Sequence, residues 1–181
     1  QSYIKRNMDN PFFLYYAMQQ PHVPRTPHQR FVNESELGAR GDVILEADWC
    51  IGELISTLED TKILENTLII LTSDNGPVLN DGYFDNSEDH DHNPMGPFRG
   101  GKYSLFQAGT RVPFISYWKD KINPAISNAV ISQIDLLSSF AKLVDSDVRG
   151  EDSEDFMNVL LGKSNKGRNK LILEATSRTA Y

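Results

Sequence analysis

Two short apolar runs separated by an amphipathic stretch constrain the fold of this chain more than any other feature. Residues 12–17 and 67–71 are almost continuously apolar and of strand length, the pattern of strands buried on both faces. Over residues 43–58, apolar side chains recur at spacings of three and four, which predicts a helix with Asp42 as its N-cap. Because parallel strands need a crossover connection, this order favours parallel pairing.

The later part of the chain continues the alternation. The same signals predict a strand at 112–118, a helix at 131–144, a shorter helix at 153–161 and a strand at 170–175. Prolines between positions 19 and 30 predict a loop, and the polar residues 78–97 predict a longer loop of the kind that usually carries function. The expected fold class is α/β, a mainly parallel sheet with helices on both faces, in one domain.

The composition is that of a globular domain and argues against some partners without excluding an anionic substrate. Apolar residues make up 39% of the 181 and charged residues 24%, enough to bury a core. The formal net charge of −7 argues against nucleic acid or an anionic membrane as the main partner. No apolar run approaches the roughly 20 residues of a membrane span. The single cysteine, Cys50, allows no internal disulfide.

Asp74 and Asn75 are a candidate metal-binding pair. They follow the most apolar predicted strand, and in open α/β sheets ligands bind beyond the carboxyl ends of the strands. A carboxylate and an amide supply hard oxygen ligands, which suit calcium or magnesium better than zinc. The alternative is a structural Asx-turn, because Asp-Asn-Gly is also favourable turn chemistry. On these residues alone the turn is favoured.

Two further segments offer groups that could act on an anion. His22 lies just past the first predicted strand, where an imidazole could protonate a leaving oxygen or donate a hydrogen bond to an oxyanion. Arg99 and Lys102 flank paired glycines, which let the backbone approach a ligand while the lysine adds a point charge. The alternatives are a solvated loop histidine and a glycine-rich turn, and taken singly each is the better explanation.

Five short motifs occur in the order and rough spacing of one enzyme family. They are PHVP at 21–24, GDV at 41–43, TSDNGP at 72–77, RGGK at 99–102 and GTRVPF at 109–114. Together, over residues 11–175, they resemble the arylsulfatase-like, formylglycine-dependent (type I) sulfatases. The sequences DGY at 81–83 and GKYS at 101–104 are most similar to bacterial carbohydrate sulfatases often labelled N-acetylgalactosamine-6-sulfatase.

The resemblance implies a fold, a cofactor and roles for the candidate residues. The fold is expected to be alkaline-phosphatase-like, with Asp74 and Asn75 as two ligands of a calcium ion. Lys102, with Arg99 in the same loop, is expected to contact the sulfate, and Lys102 also the leaving-group oxygen. His22 is expected there too, as a candidate acid. The resemblance also implies a sulfated carbohydrate or other sulfate monoester as substrate, and a periplasmic or secreted location.

Two parts of the family's active site have no counterpart in the chain. Formylglycine is made from Cys or Ser in a Cys/Ser-x-Pro-x-Arg motif, and no Cys or Ser here is followed by Pro at the second position. The paired aspartates that complete the family's calcium site are not found before Pro11. We therefore expect residues 1–181 to be the C-terminal portion of a sulfatase catalytic domain, truncated at both ends and inactive without the remainder.

Two alternatives stay open at this point. A non-catalytic anion- or carbohydrate-binding relative would also lack the nucleophile, and phosphatases or phosphodiesterases share the superfold. The abrupt ends of the sequence favour the fragment over a self-contained binding module. The Gly-Gly-Lys loop favours a sulfatase over a phosphatase, whose sites usually use two transition metals with more histidine ligands.

Overall fold

The computed structural model describes residues 1–78, 92–175 and 178–180. The helices are α1 (Ser2–Asn7), α2 (Gly38–Asp60), α3 (Gln107–Thr110), α4 (Leu136–Leu143) and α5 (Met157–Leu160), with 3-10 helices at Gln29–Phe31, Leu64–Asn66 and Gln133–Asp135. The strands are β1 (Ile69–Thr72), β2 (Phe114–Tyr117), β3 (Leu173–Ala175) and β4 (Arg178–Ala180). Most of the predicted loop 78–97 lies outside the described residues.

The long helix α2 organises the N-terminal half of the chain. Its apolar stripe brings Leu58 against Ile4 of α1 and Leu64, and all three side chains are buried. Leu54 and Ile55 of the same stripe pack on this core, together with the first residue of β1. The predicted helical period is therefore confirmed: along its apolar face Val43 and Leu58 are buried, and the stripe residues between them are half-buried.

Asp42 does not cap this helix, contrary to the prediction. Helix α2 begins at Gly38, so Asp42 lies inside it. The Asp42 carboxylate is buried and accepts hydrogen bonds from the N–H groups of Asn33 and Ser35, each at 2.9 Å. The side chain thus stabilises the loop that precedes the helix. It accepts hydrogen bonds from backbone N–H groups as an N-cap does, but those groups belong to the loop and not to the first turn of the helix.

Both strand pairs in the described part of the chain are antiparallel. β1 pairs with β2 in a register that runs from Ile69↔Tyr117 to Thr72↔Phe114, and β3 pairs with β4. The prediction of parallel pairing was therefore wrong for these strands. A parallel pair needs a helical crossover, whereas the helix described between β1 and β2 is the four-residue α3.

Residues 12–17 form no strand, although the sequence predicts a buried one. In the described part of the chain no strand pairs with them, and Phe13 and Tyr15 are 69% and 81% exposed. A strand buried on both faces needs hydrogen-bonding neighbours and side chains packed above and below. Phe12 finds packing against the core of α1 and α2, but the segment as a whole does not.

Two glycines let the turn after β1 pack backbone against backbone on α3 and on the loop before it. A Cβ on Gly76 would lie 1.6 Å from a backbone oxygen of α3, and a Cβ on Gly101 would lie 2.7 Å from the Pro77 carbonyl oxygen. The Gly76 N–H donates to the Gly109 carbonyl at 3.0 Å, and the Lys102 N–H donates to the Pro77 carbonyl at 2.9 Å. The turn and the loop therefore form one unit.

A buried carboxylate, Asp135, joins the segments of the C-terminal third. It accepts hydrogen bonds from the N–H groups of Ser132 and Glu154 at 2.8 and 2.9 Å, and Arg168 contacts both of its oxygens. Burial alone would raise the pKa of Asp135, but the hydrogen bonds from Arg168, Glu154 and Ser132 together hold this pKa below its ordinary value. The carboxylate is therefore charged and fully partnered inside the fold.

The remaining predicted elements are present but shorter. The helix predicted at 131–144 is a 3-10 helix followed by α4, and a capping box formed by Ser132 and Asp135 sets its start. The elements predicted at 153–161 and 170–175 shrink to α5 and β3. None of the helices in the described ranges is long and apolar enough to cross a bilayer.

Asp135→Ala should lower the free energy of unfolding by about 3 kcal/mol, because the largely buried Arg168 guanidinium would keep only the exposed Glu154 carboxylate as a counter-charge and two N–H groups would lose their acceptor. The control is Glu65→Ala, which breaks the ion pair between Glu65 and Lys119. The side chains of Lys119 and Glu65 are 42% and 70% exposed, so this variant should change stability little. Urea denaturation at neutral pH measures both. Equal losses in the two variants would contradict this account of Asp135.

The lowered pKa of Asp135 also fixes the sign of its pH dependence. Its stabilising contribution is fully present above the pKa of the unfolded chain, about 4, and is lost as the pH falls through the lower folded value. Wild type should therefore lose more stability between pH 5 and strongly acidic pH than Asp135→Asn does, as measured by urea denaturation across that range.

Gly76→Ala should destabilise the protein by at least about 2 kcal/mol, because no side-chain rotation relieves a Cβ placed 1.6 Å from a backbone oxygen. The matched control is Gly52→Ala on α2, where nothing lies within 4 Å of the added Cβ and alanine should stabilise the helix by about 0.5–1 kcal/mol. Thermal unfolding compares the two. A Gly76→Ala protein as stable as wild type would show that these loops are not in contact.

Candidate active site

Asp74 and Asn75 occupy the turn that begins where β1 ends. The exposed Asp74 carboxylate accepts a hydrogen bond through Oδ1 from the Asn75 N–H at 3.0 Å, and Asn75 Nδ2 donates to the Gly76 carbonyl at 3.3 Å. The Ser73 hydroxyl donates to the Asn75 carbonyl at 3.0 Å. These bonds order the turn while using the nitrogen of the amide and one carboxylate oxygen. Asp74 Oδ2 and Asn75 Oδ1 are thus the oxygens that can bind a cation.

The pair fits calcium chemically but supplies only part of a site. Calcium takes roughly six to eight oxygen ligands, several of them carboxylates. Within the described ranges, no three His, Cys, Asp or Glu side chains cluster as metal ligands. Asp81, Asp85 and Asp89, which are close in sequence, lie outside the described residues. Asp74 and Asn75 are therefore suited to be two ligands among several.

Lys102 belongs to the loop that packs on the Asp74 turn. Its backbone N–H donates to the carbonyl of Pro77, the residue two positions beyond Asn75. This bond fixes the Lys102 backbone against the turn. Its side chain is half-buried, and the ammonium lies 5.5 Å from the centroid of the Tyr103 ring. Backbone contacts thus hold the loop that carries Lys102 against the turn that carries the candidate metal ligands.

His22 lies in an exposed turn between two prolines. Its backbone N–H donates to the Gln19 carbonyl at 2.9 Å, and its ring atom Nδ1 lies 2.8 Å from the Val23 carbonyl oxygen. Because a carbonyl oxygen only accepts, Nδ1 carries the proton in this contact. Nε2 is then the ring nitrogen that can take up or release a proton.

These four predicted residues line one cavity. His22, Asp74, Asn75 and Lys102 all contribute to a space of about 2550 Å³, which is also lined by residues 12–17. A small-ligand pocket usually measures about 300–1,000 Å³. The four residues share this cavity, which is much larger than one small ligand needs.

Arg99, the fifth predicted residue, does not join them. Its guanidinium lies 4.0 Å from the centroid of the Phe106 ring, and its carbonyl accepts a hydrogen bond from the Ala108 N–H at 3.0 Å. It is not among the described residues that line the cavity. In this structure Arg99 supports the loop, and its contact with substrate stays a prediction from the resemblance.

Three further polar residues line the same cavity and were not singled out from the sequence. Arg40 is buried and donates to the Val78 carbonyl at 2.7 Å, and Arg111 donates to the Gln107 side chain at 3.1 Å. Gln133 contacts the Ser73 carbonyl. Arg111 belongs to the GTRVPF motif, so the motif could have indicated it. Arg40 and Gln133 act through partners 38 and 60 positions away, for which a single sequence gives no signal.

Comparison with known proteins confirms the resemblance. The family model described as "Sulfatase" matches residues 1–146. The chain is 45% identical over 99% of its length to an N-acetylgalactosamine-6-O-sulfatase of Bacteroides thetaiotaomicron, and 32% identical over 92% of its length to human arylsulfatase A. It spans 36% and 32% of those two proteins, respectively.

Solved structures show the same relationship in three dimensions. A structure from work on the metabolism of multiple glycosaminoglycans by Bacteroides thetaiotaomicron matches 94% of the chain with a TM-score of 0.90 and 46% identity, and the match covers 37% of that structure. The PsFucS1 sulfatase from Pseudoalteromonas sp. matches 96% of the chain with a TM-score of 0.81 and 28% identity, over 35% of its own length. With its motifs, its family-model match and these neighbours in agreement, the chain belongs to the sulfatase family.

Proposed function

We propose that this chain forms one side of the active site of a sulfuric ester hydrolase, the side that contributes calcium ligands and a cation for the sulfate. The observation that carries the proposal is the backbone unit formed by the Asp74 turn and the Lys102 loop, which joins hard oxygen ligands to a positive charge. Family membership supports the reaction class. The formylglycine nucleophile must come from outside this chain, because the sequence contains no motif for its formation.

Each residue has a separate task in the proposed reaction. Calcium, when bound by Asp74, Asn75 and further oxygens, polarises the sulfate and favours the ionised nucleophile. The Lys102 ammonium offsets the negative charge that builds on the sulfate and the leaving oxygen as the ester bond breaks. His22 Nε2, whose partner Nδ1 is held by a carbonyl, is the candidate to give a proton to the leaving oxygen.

The proposed substrate is a sulfated sugar, with the 6-sulfate of N-acetylgalactosamine as the first compound to test. The support is the name of the relative with 45% identity, together with the canine N-acetylgalactosamine-6-sulfatase at 35% identity over 88% of the chain. Human arylsulfatase A, at 32%, shows that the shared sequence is also compatible with other sulfate esters. Sulfate released from the 6-sulfate, 4-sulfate and aryl esters by the full-length protein decides between them.

The proposed complete fold is an alkaline-phosphatase-like domain whose mainly parallel sheet continues beyond this chain. The support is the largely exposed segment 12–17, which pairs with no strand among the described residues, and the wide cavity that it lines. An exposed apolar segment and a cavity of this kind need neighbours, and the chain spans only about a third of its relatives. We propose that the remainder of the catalytic domain pairs with residues 12–17, covers the apolar cavity wall and brings the nucleophile to Lys102.

Asp74→Ala in the full-length protein should lower kcat/KM for sulfate esters by about 1000-fold or more, because it removes a charged metal ligand from a site where the metal contributes several kcal/mol. Stability without added metal should hardly change, since Asp74 is exposed and bonds only within its own turn. The matched control is Asp60→Ala at the exposed C-terminal end of α2, which removes the same charge away from the cavity.

Released sulfate and the melting temperature are the two measurements. Asp60→Ala should keep the activity and the stability of wild type. If Asp74→Ala retained more than a tenth of the wild-type kcat/KM, the assignment of this turn to the metal site would be wrong.

A further inference from the structure

We infer that Gln133 is a positioning residue that fixes the orientation of the Asp74–Asn75 turn; this inference rests on the proposed function of that turn. The Gln133 amide nitrogen donates to the Ser73 carbonyl oxygen at 2.5 Å and lies 3.5 Å from the Thr72 hydroxyl. Gln133 therefore contacts the last residue of β1 and the first residue of the turn. Thr72 and Ser73 belong to the TSDNGP motif, whereas Gln133 lies outside the five motifs.

The Ser73 carbonyl is the atom through which such a contact acts on Asp74. The carbonyl belongs to the peptide plane that joins Ser73 to Asp74, and that plane is rigid. The β1–β2 ladder ends at Thr72, so strand pairing does not hold this plane. A donor fixed on the carbonyl oxygen sets the rotation of the plane, and hence the direction in which the Asp74 side chain leaves the backbone.

The far end of the turn is held independently. The Gly76 N–H donates to the Gly109 carbonyl at 3.0 Å, with no room for a Cβ between the two loops. Asp74 and Asn75 thus lie between two fixed backbone points, one held by Gln133 and one by α3. Removing the Gln133 contact should leave the turn in place but let the peptide plane between Ser73 and Asp74 rotate.

Gln133 can act as a fixed donor because its own element is anchored. It is the first residue of the 3-10 helix Gln133–Asp135, which begins with the capping box between Ser132 and Asp135. The buried Asp135 carboxylate is bound by Arg168 and by the Glu154 N–H. The contact thus links the C-terminal third of the chain to the candidate metal ligands.

The neutral amide suits this position. A glutamine supplies an N–H donor without placing a negative charge next to a carbonyl and close to a cation site. The Gln133 side chain is exposed, so water can replace its hydrogen bond and the loss costs the fold little. Orientation of the ligand should therefore suffer more than stability, which separates a positioning role from a structural one.

The test uses the full-length protein stripped of metal and titrated with calcium chloride by calorimetry. Gln133→Leu, which keeps the size but removes both donor hydrogens, should raise the calcium Kd by about 10- to 100-fold, the usual effect of removing a group that orients a metal ligand. Its metal-free melting temperature should change by less than about 4 °C. Gln133→His, which keeps a ring N–H donor, should restore the Kd to within about threefold of wild type.

The matched control is Gln1→Leu, which removes the same side-chain amide and a side-chain hydrogen bond to Glu53 of 2.8 Å, without touching the turn. It should leave the Kd unchanged. A Gln133→Leu Kd within twofold of wild type would overturn the inference, and so would a loss of affinity that Gln133→His fails to restore. If Gln133→Leu does not fold, Gln133→Asn, whose amide is one methylene too short, replaces it with the same expectations.

Calcium binding by the wild-type protein separates the inference about Gln133 from the proposed function on which it rests. If wild-type protein binds calcium and Asp74→Ala does not, the metal assignment stands and the Gln133 variants alone decide the positioning role. If wild-type protein binds no calcium, the proposed function fails first, and the inference about Gln133 fails with it.

Discussion

The contact between two backbones, at Gly76 and Gly101, is the constraint on which the rest of the site depends. A carbonyl oxygen takes the place of a Cβ at both positions, so the Asp74 turn and the Lys102 loop can approach as closely as two peptide chains allow. Two backbone hydrogen bonds then fix their register. The candidate metal ligands Asp74 and Asn75 and the cation Lys102, which is 27 positions beyond Asn75 in the sequence, thereby lie on segments whose backbones are in contact.

Around this unit, a buried carboxylate joins the segments of the C-terminal third, and a small apolar core joins α1 to α2. Segments of the C-terminal third are held together at Asp135, whose charge is fully partnered by Arg168 and two N–H groups. The N-terminal third leaves Phe13 and Tyr15 exposed beside a cavity of about 2550 Å³. Exposed aromatic side chains beside such a space are typical of a surface that another part of a protein covers.

The sequence predicted local elements better than it predicted strand pairing. Helix α2 and the strand at 69–72 follow from local periodicity, and Asp74, Asn75 and Lys102 follow from motifs that depend on local backbone geometry. Strand pairing depends on neighbours, so the apolar run at 12–17 was predicted as a buried strand and parallel pairing was predicted where β1 and β2 are antiparallel. Side-chain contacts have the same limit. The partners of Asp42 and Gln133 come close only in the folded chain, so the residues beside them in the sequence do not indicate these contacts.

The measurement that tests the account most directly is a crystal structure of the full-length protein grown with calcium. The account predicts an ion bound by an Asp74 carboxylate oxygen and by Asn75 Oδ1 at about 2.3–2.6 Å, with the Lys102 ammonium directed at a sulfate or substrate oxygen on the same ion. It also predicts that Asp74 and Asn75 keep the turn geometry described for this chain. An ion bound elsewhere, with the Asp74 and Asn75 side chains still bonded only within their own turn, would contradict the central claim.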